Sequence, residues 1–248
     1  MPDDCSTPPH DAAAIRWWRR ALAEFIGTFF LVVVSAGSEV AAVLRPAGTD
    51  PLAVAAAPGL LVMAMIYSVG HVSGAHFNPV VTLAFAARRS FPARWAGLYL
   101  AAQVIAAASA ALLLRQLFGR ASPAAEAPGQ RPIDSTAILA MEAVTTCLLL
   151  LVVLHTAHEH ALVGTQAALA VGGAITACRL LGARLAATSM NPLSAWGSAI
   201  TTGRPNPYWL HLSGPLLGGA VAFAAMTAMH PHRNEGEREA AAGTPSQR

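Results

Sequence analysis

Long apolar runs separated by short polar connections dominate this sequence. Six of the runs are long enough to cross the hydrocarbon core of a bilayer, which needs about 20 residues of helix. They cover residues 21–44, 52–69, 95–118, 135–154, 161–181 and 208–229. The pattern therefore predicts an all-α membrane protein with six transmembrane helices.

Two further apolar segments, residues 78–88 and 191–201, are too short to span, and each begins at an Asn-Pro step. About ten residues of helix, at 1.5 Å per residue, reach only half of the bilayer. Asn favours the N-cap, and Pro fits the first helical position, where its missing N–H would have no partner in any case. A helix that begins in mid-membrane needs a watery cavity at its end. Both segments are therefore predicted to be re-entrant half-helices that meet at a pore.

The composition agrees with a membrane protein. Hydrophobic residues make up 54% of the 248 residues and charged residues only 12%, whereas a soluble domain carries about a quarter charged residues. The 16 basic residues are all arginines scattered around the apolar runs, so we expect no nucleic-acid partner. The three cysteines lack the spacing of a metal site. We therefore expect a lipid bilayer as the surroundings, with no cofactor and no metal.

Arginines flank the apolar runs unevenly and predict the orientation. They precede the first span, follow the first half-helix and follow the last span, and arginines favour the cytoplasmic side of a membrane. Both termini are therefore predicted to be cytoplasmic, in a multi-pass protein of the plasma or inner membrane. Residues 1–20 would form a cytoplasmic segment, and the charged residues 230–248 a disordered cytoplasmic tail.

The channel region, residues 21–229, divides into two similar parts. AEFIGTFFLVV, with Glu24, opens the first part, and MEAVTTCLLLLVV, with Glu142, opens the second. Repeat one covers about 21–118 and repeat two about 135–229. Each repeat has three spans, an odd number, so the second enters the membrane from the opposite side. This predicts an inverted 3+3 repeat whose interrupted segments mark the permeation site.

Several motifs together resemble the aquaporin / major intrinsic protein family. They are a glutamate near the start of spans one and four, SGAHFNP, a second Asn-Pro box, and GPLLGGA in the last span. The resemblance covers residues 21–229 and implies six tilted helices plus two half-helices, assembled as a homotetramer with one pore per subunit. It implies a passive channel for water and/or small uncharged solutes, such as glycerol, urea or neutral metalloid acids, and not an enzyme.

Ions and protons would be excluded where the two half-helices meet. Each N-terminus carries about +0.5 charge, and each Asn can cap its helix with the carbonyl oxygen while its NH₂ donates into the lumen. The stretches 70–77 and 182–190 would expose backbone carbonyls along one wall. The family usually has alanine at the third box position, so larger residues there should change packing more than charge. The two boxes are Asn78, Pro79, Val80 and Asn191, Pro192, Leu193.

The family spacing also places a selectivity filter in the pore, and this chain departs from it. Ser194 stands where an arginine normally follows the second box, and Pro58 stands where water-specific members carry an aromatic residue. Arg179 either supplies the missing charge from another wall or extends to the membrane interface, and Arg184 is a second candidate. A filter without an aromatic residue predicts solutes larger than water. The inferred filter is Pro58, Arg179, Thr188 and Ser194.

The intramembrane glutamates have two interpretations. In the family, Glu24 and Glu142 brace the loops before the half-helices by accepting backbone hydrogen bonds, and His71 and His76 pack around the first loop. A charged group within a span is costly and usually functional. The alternative is therefore a proton- or ion-coupled secondary transporter that uses Glu24 or Glu142, and for the two histidines a metal or gating role.

A histidine-rich turn follows the fourth span. It resembles a metal-binding cluster, but its position predicts a solvated cytoplasmic loop, with pH- or metal-dependent gating as the alternative. Its residues are His155, His158, Glu159 and His160.

Overall fold

The computed structural model describes residues 17–119, 134–158, 165–185, 188–203, 207–232 and 234–243. Their regular structure is helical, with a short 3₁₀ turn at Pro46–Gly48. The helices are α1 Trp17–Leu44, α2 Pro51–Ser73, α3 Pro79–Ala87, α4 Ala93–Phe118, α5 Ser135–His158, α6 Thr165–Leu185, α7 Pro192–Thr202, α8 Tyr208–Met229 and α9 Glu235–Ala242.

The six predicted spans correspond to α1, α2, α4, α5, α6 and α8. Five of these helices are long and apolar enough to cross a membrane, and α6 contributes the shorter apolar stretch Gln166–Gly182. The fifth span was expected from residue 161; residues 159–164 lie outside the described part of the chain, and α6 is described from Thr165. The all-α membrane fold predicted from the sequence is confirmed.

Helix packing follows the inverted repeat. In the first half α1 packs on α4, and in the second half α5 packs on α8, while α2 and α6 cross between the halves. Small residues permit these close crossings. A Cβ added to Gly59 would lie 2.6 Å from the carbonyl oxygen of Gly172, and one added to Gly218 would lie 2.1 Å from that of Ala143. The backbones therefore touch at both crossings.

The two half-helices α3 and α7 occupy related places. Each contacts the last span of both repeats, α4 and α8, and the two contact each other. The third box residues pack rather than face a lumen: Val80 lies against Gly219, and Leu193 belongs to a buried cluster with Ala107 and Ala110. The small residues opposite them accommodate the side chains that replace the usual alanine.

The segment expected to be a disordered tail contains the ordered helix α9. Its composition is polar, yet Glu237 is fully buried because Arg88, 149 residues earlier, pairs with it. The polar composition of the segment predicted disorder because the segment cannot bury a core of its own. Composition carries no information about a partner as distant in sequence as Arg88. The expected N-terminal segment, residues 1–20, lies outside the described residues as far as residue 16, and α1 begins at Trp17.

Candidate functional site

A cavity of about 330 Å³ runs between the two halves of the fold, and both box asparagines line it. Pro58, Arg179 and Ser194 also line it, and they define its Arg179 end. Ser73, at the opposite end of α2, lies 15 residues after Pro58, which is about 22 Å along a helix axis. Residues of α9 line the cavity there, at what we term its α9 end.

Each box asparagine caps its own half-helix. The side-chain oxygen of Asn78 accepts a hydrogen bond from the N–H of Val80 at 3.0 Å, and Asn191 accepts one from Leu193 at 3.0 Å. Pro79 and Pro192 occupy the first helical position. These caps are local consequences of the Asn-Pro sequence.

The asparagine amides also tie the two loops together. Nδ2 of Asn78 donates to the carbonyl of Met190 at 2.8 Å, and Nδ2 of Asn191 donates to the carbonyl of Phe77 at 2.9 Å. An amide has two N–H groups, so each side chain keeps one further donor for the lumen. The sequence analysis placed both amides in the lumen and missed this cross-tie, since its partners are more than 100 residues apart.

The residue before each asparagine has a left-handed backbone, with φ of 47° at Phe77 and 57° at Met190. Bulky residues rarely adopt this conformation, which costs on the order of 1–2 kcal/mol. The expected extended stretches are also shorter than the sequence indicated, because α2 continues to Ser73 and α6 to Leu185. Contacts from other helices must therefore hold these short loops.

The first loop is held by Glu24. One carboxylate oxygen accepts the N–H of His76 at 2.9 Å and the other accepts that of Phe77 at 2.8 Å. The Ser73 hydroxyl and the Gln103 amide also donate to this carboxylate, at 2.7 and 2.8 Å. Glu24 is fully buried, and its oxygens are satisfied by neutral donors.

The second loop is held by Glu142 in the same way. Its two oxygens accept the N–H groups of Ser189 at 2.8 Å and Met190 at 2.9 Å. The additional donor is His211, whose Nδ1 lies 2.6 Å from the carboxylate. The sequence analysis missed Gln103 and His211. A polar residue within an apolar span is a signal that could have identified Gln103, which lies in the middle of α4, whereas His211 lies in the first turn of α8.

The structure separates the two histidines expected around the first loop. His76 is buried between Phe85 and Tyr99, with Nδ1 3.1 Å from the Thr82 hydroxyl. His71 lies on the last turn of α2, where it is exposed and lines the cavity. Packing around the loop therefore describes His76, and His71 belongs to the cavity wall.

Three of the four expected filter residues, Pro58, Arg179 and Ser194, line the cavity, and the fourth, Thr188, is not among its lining residues. Thr188 is buried, and its hydroxyl packs against Gly182 of α6, because the end of α6 lies directly beside it. The sequence analysis missed Glu39 of α1, whose carboxylate lies 3.8 Å from Nη2 of Arg179. A second acid within the first apolar span, besides Glu24, was the available signal. Arg184 lies in α6, and its side chain is outside the described residues.

A second group of charges lies where α9 meets α3 and α5. Arg88 donates to Glu237 through Nε at 2.6 Å and Nη2 at 2.9 Å, and Nδ1 of His158 lies 3.4 Å from it. The Ser90 hydroxyl donates at 2.5 Å. Burial by itself raises the pKa of Glu237, but the hydrogen bonds and the charge of Arg88 outweigh it and lower that pKa below its ordinary value.

The histidine-rich turn is therefore not simply a solvated loop. His155 and His158 lie on the last turn of α5, and His155 bonds the carbonyl of Leu151 at 2.7 Å. The expected members Glu159 and His160 lie outside the described residues. Within the described ranges, no group of three metal-binding side chains comes together.

Comparison with known proteins places this geometry in context. Residues 11–226 match the family described as major intrinsic protein (MIP). The chain is 40% identical over 222 residues to aquaporin NIP1-3 of Oryza sativa subsp. japonica, covering 88% of this chain and 76% of that protein. It is 32% identical over 240 residues to aquaporin NIP6-1 of Arabidopsis thaliana, covering 96% and 77%.

A solved structure shares the fold. The aquaglyceroporin from Plasmodium falciparum superposes with a TM-score of 0.70 at 21% sequence identity, covering 87% of this chain and 98% of that one. At this identity the likeness concerns the arrangement of helices, and it leaves the filter residues of this chain to be judged by their own contacts.

Proposed function

The chain belongs to the major intrinsic protein family and is a passive channel for water and small neutral solutes; on that premise we propose that it favours neutral polar solutes larger than water. The residues that select them are Pro58, Arg179 and Ser194. One observation carries the proposal, namely that these three side chains and both box asparagines line a single cavity.

The Arg179 end supplies hydrogen-bond donors to the cavity. The guanidinium carries five N–H donors, its side chain is 11% exposed, and Glu39, which is 38% exposed, holds it at 3.8 Å. Pro58 and Ser194 present small surfaces on the other walls. A neutral solute with several oxygens or amide groups can exchange its hydration for these donors.

The centre excludes ions and protons by the arrangement of donors. The N-termini of α3 and α7 meet there, and each directs about +0.5 charge at the lumen. Asn78 and Asn191 each retain one N–H beyond the cross-tie. A water molecule between them accepts from both sides, so it cannot pass a proton along a continuous chain.

The alternative, a proton- or ion-coupled transporter that uses Glu24 or Glu142, has less support. Neither residue is among the side chains that line the cavity, and hydrogen bonds engage both oxygens of each carboxylate. A coupling site must exchange protons with the lumen. A transporter would lose uptake when the pH gradient is abolished, whereas the channel equilibrates solute with or without a gradient.

Reconstituted vesicles test the proposal with a panel of water, glycerol, urea and arsenite, each compared with empty vesicles. Replacing Arg179 with alanine should change the glycerol-to-water permeability ratio by about 10- to 150-fold, the effect of one charged hydrogen bond of about 1.5–3 kcal/mol. Arg115→Ala is the matched control, because Arg115 is exposed near the end of α4. An unchanged ratio for Arg179→Ala would place its side chain outside the selecting part of the pore.

We further propose a homotetramer in a plasma or inner membrane, with both termini cytoplasmic. The distribution of arginines along the sequence supports this orientation. Large apolar side chains more than half exposed are available to contact lipid or neighbouring subunits, among them Leu60, Leu112, Leu117, Val144 and Val221. Mass determination of the detergent-solubilised protein tests the homotetramer. Labelling of an introduced terminal cysteine in sealed vesicles tests the position of the termini.

A further inference from the structure

Helix α9 lies across one end of the cavity. Its residues Glu239 and Ala240, and the following Gly243, line the same cavity as the box asparagines. The contact with the first loop is backbone to backbone. A Cβ added to Gly243 would lie 2.5 Å from the backbone nitrogen of Gly74, and one added to Gly74 would lie 2.6 Å from the carbonyl oxygen of Ala240.

Two long side chains hold the C-terminal end of α9. Nε2 of His76 donates to the carbonyl of Ala241 at 3.1 Å, and Nη1 of Arg20 donates to the carbonyl of Ala242. The last carbonyls of a helix have no partner within the helix, and they attract donors and positive charge. His76 also packs around the first loop, so the same residue contacts both the loop and α9.

The N-terminal half of α9 is held by polar contacts to α3 and α5. Glu237 is fully buried beneath Arg88, Ser90 and His158. Asn234 caps the helix by accepting the N–H of Glu237 at 2.9 Å, and its amide donates to the carbonyl of His158 at 2.7 Å. Both ends of α9 are therefore fixed to the channel.

The composition of α9 indicates that it can also leave. Its eight residues, EGEREAAA, include no large apolar side chain, so little hydrophobic area holds it. A helix of eight residues is not stable alone in water. Docking and folding of this segment are therefore one two-state event, and polar contacts decide it.

We propose that α9 is an autoinhibitory helix that closes the α9 end of the pore when docked and admits solute when released. The inference rests on the channel function, and it is independent of which residues form the filter. Release should raise the permeability of all permeants by one common factor, since it opens an entrance, whereas a filter change alters their ranking.

Glu237→Gln in the full-length chain tests the inference. The substitution removes the charge that pairs with Arg88, and Glu235→Gln is the matched control because its side chain is 69% exposed. We expect several-fold higher water and glycerol permeability per channel for Glu237→Gln, with their ratio unchanged, and no change for Glu235→Gln. Hydrogen exchange over residues 235–242 should lose protection in the first variant only.

Gly243→Val provides a second variant, because a side chain there collides with the backbone of the first loop. Lost protection with unchanged permeability in either variant would overturn the inference, since α9 would then dock without closing the pore. Protection retained in both variants would overturn it as well, because these contacts would not hold the helix. A change in the solute ratio with no common increase would point to the filter instead.

Discussion

The loops before the two half-helices share a backbone and differ in their side chains. Phe77 and Met190 have the same left-handed conformation, and in each loop a buried glutamate accepts two successive N–H groups. The further donors differ, however: the first glutamate binds neutral groups, including Gln103, and the second binds His211.

The difference between the loops shows which parts of a duplicated site are fixed by geometry. The backbone must place two asparagines against each other, so both halves keep the same braces and caps. The side chains around the braces are free to diverge. The first loop contacts α9 through His76, and the second leads to the Arg179 end. One duplicated scaffold thus supports two unlike entrances.

Removing either of the two glutamates that hold the loops, which we call the braces, has the largest expected effect on stability. Glu24→Ala leaves four buried donors without an acceptor, and Glu142→Ala leaves three. Because a buried donor left without an acceptor costs about 1–3 kcal/mol, both variants should unfold at much lower temperature, and Glu24→Ala more so. Thermal unfolding in detergent measures this, with exposed Glu235→Ala as the control. Equal loss in all three variants would mean that the braces are not the source of loop stability.

Loss of the cross-tie, the pair of hydrogen bonds from the Asn78 and Asn191 amides to the opposite loop, should have the second largest effect. Asn78→Asp and Asn191→Asp each replace a donor with an oxygen that faces a carbonyl, and each should destabilise the protein by about 1–3 kcal/mol. Both should also weaken cation exclusion, because the negative charge of the carboxylate offsets the partial positive charge of the two helix N-termini. Thermal unfolding and proton leak in vesicles measure the two effects. If one variant leaks and the other does not, the two asparagines are not equivalent.

Substitutions of His211, the side-chain partner of Glu142, should have a smaller effect on stability. His211→Gln gives the second brace the amide that Gln103 provides in the first, so stability at neutral pH should fall by less than about 1 kcal/mol. His211→Ala should cost about 1.5–3 kcal/mol, since a hydrogen bond to a charged group is lost. Thermal unfolding of both variants decides this. A Gln substitution as damaging as Ala would show that the second brace requires a histidine.

The smallest effect concerns backbone strain. Ala75, with φ of 51°, should be improved by glycine, which adopts the left-handed region without penalty. We expect Ala75→Gly to stabilise the protein by about 0.5–1 kcal/mol. Ala86→Gly, in the last turn of α3, should destabilise it by up to about the same amount. A loss of stability in both variants would mean that the loop does not store this strain.

Local patterns predicted most of the fold. Apolar runs gave the spans, and the Asn-Pro steps gave both caps, because a cap depends on residues two positions apart. The family resemblance named Glu24 and Glu142, and the structure shows which N–H groups they accept. These features depend on short sequence distances or on motifs that occur in the printed sequence.

Contacts between distant segments could not be predicted. The order of α9 depends on Arg88, the place of Arg179 depends on Glu39, and the asparagine amides depend on carbonyls of the opposite half. Thr188 was assigned to the selectivity filter by spacing alone. In the structure its hydroxyl packs against Gly182, because α6 continues past that residue. A single sequence contains the residues of such pairs, and it does not indicate which of them meet.

The cross-tie has a consequence for the timing of synthesis. The amide of Asn78 bonds the carbonyl of Met190, 112 residues later. At roughly 5–20 residues per second, a ribosome takes about 6–20 s to make that stretch. During this interval the first half-helix lies in the membrane with its amide unpaired, accessible to chaperones and quality control. Integration of the first three spans therefore cannot complete the pore. The pore forms only when the second loop has been made and the amide of Asn78 can bond to it.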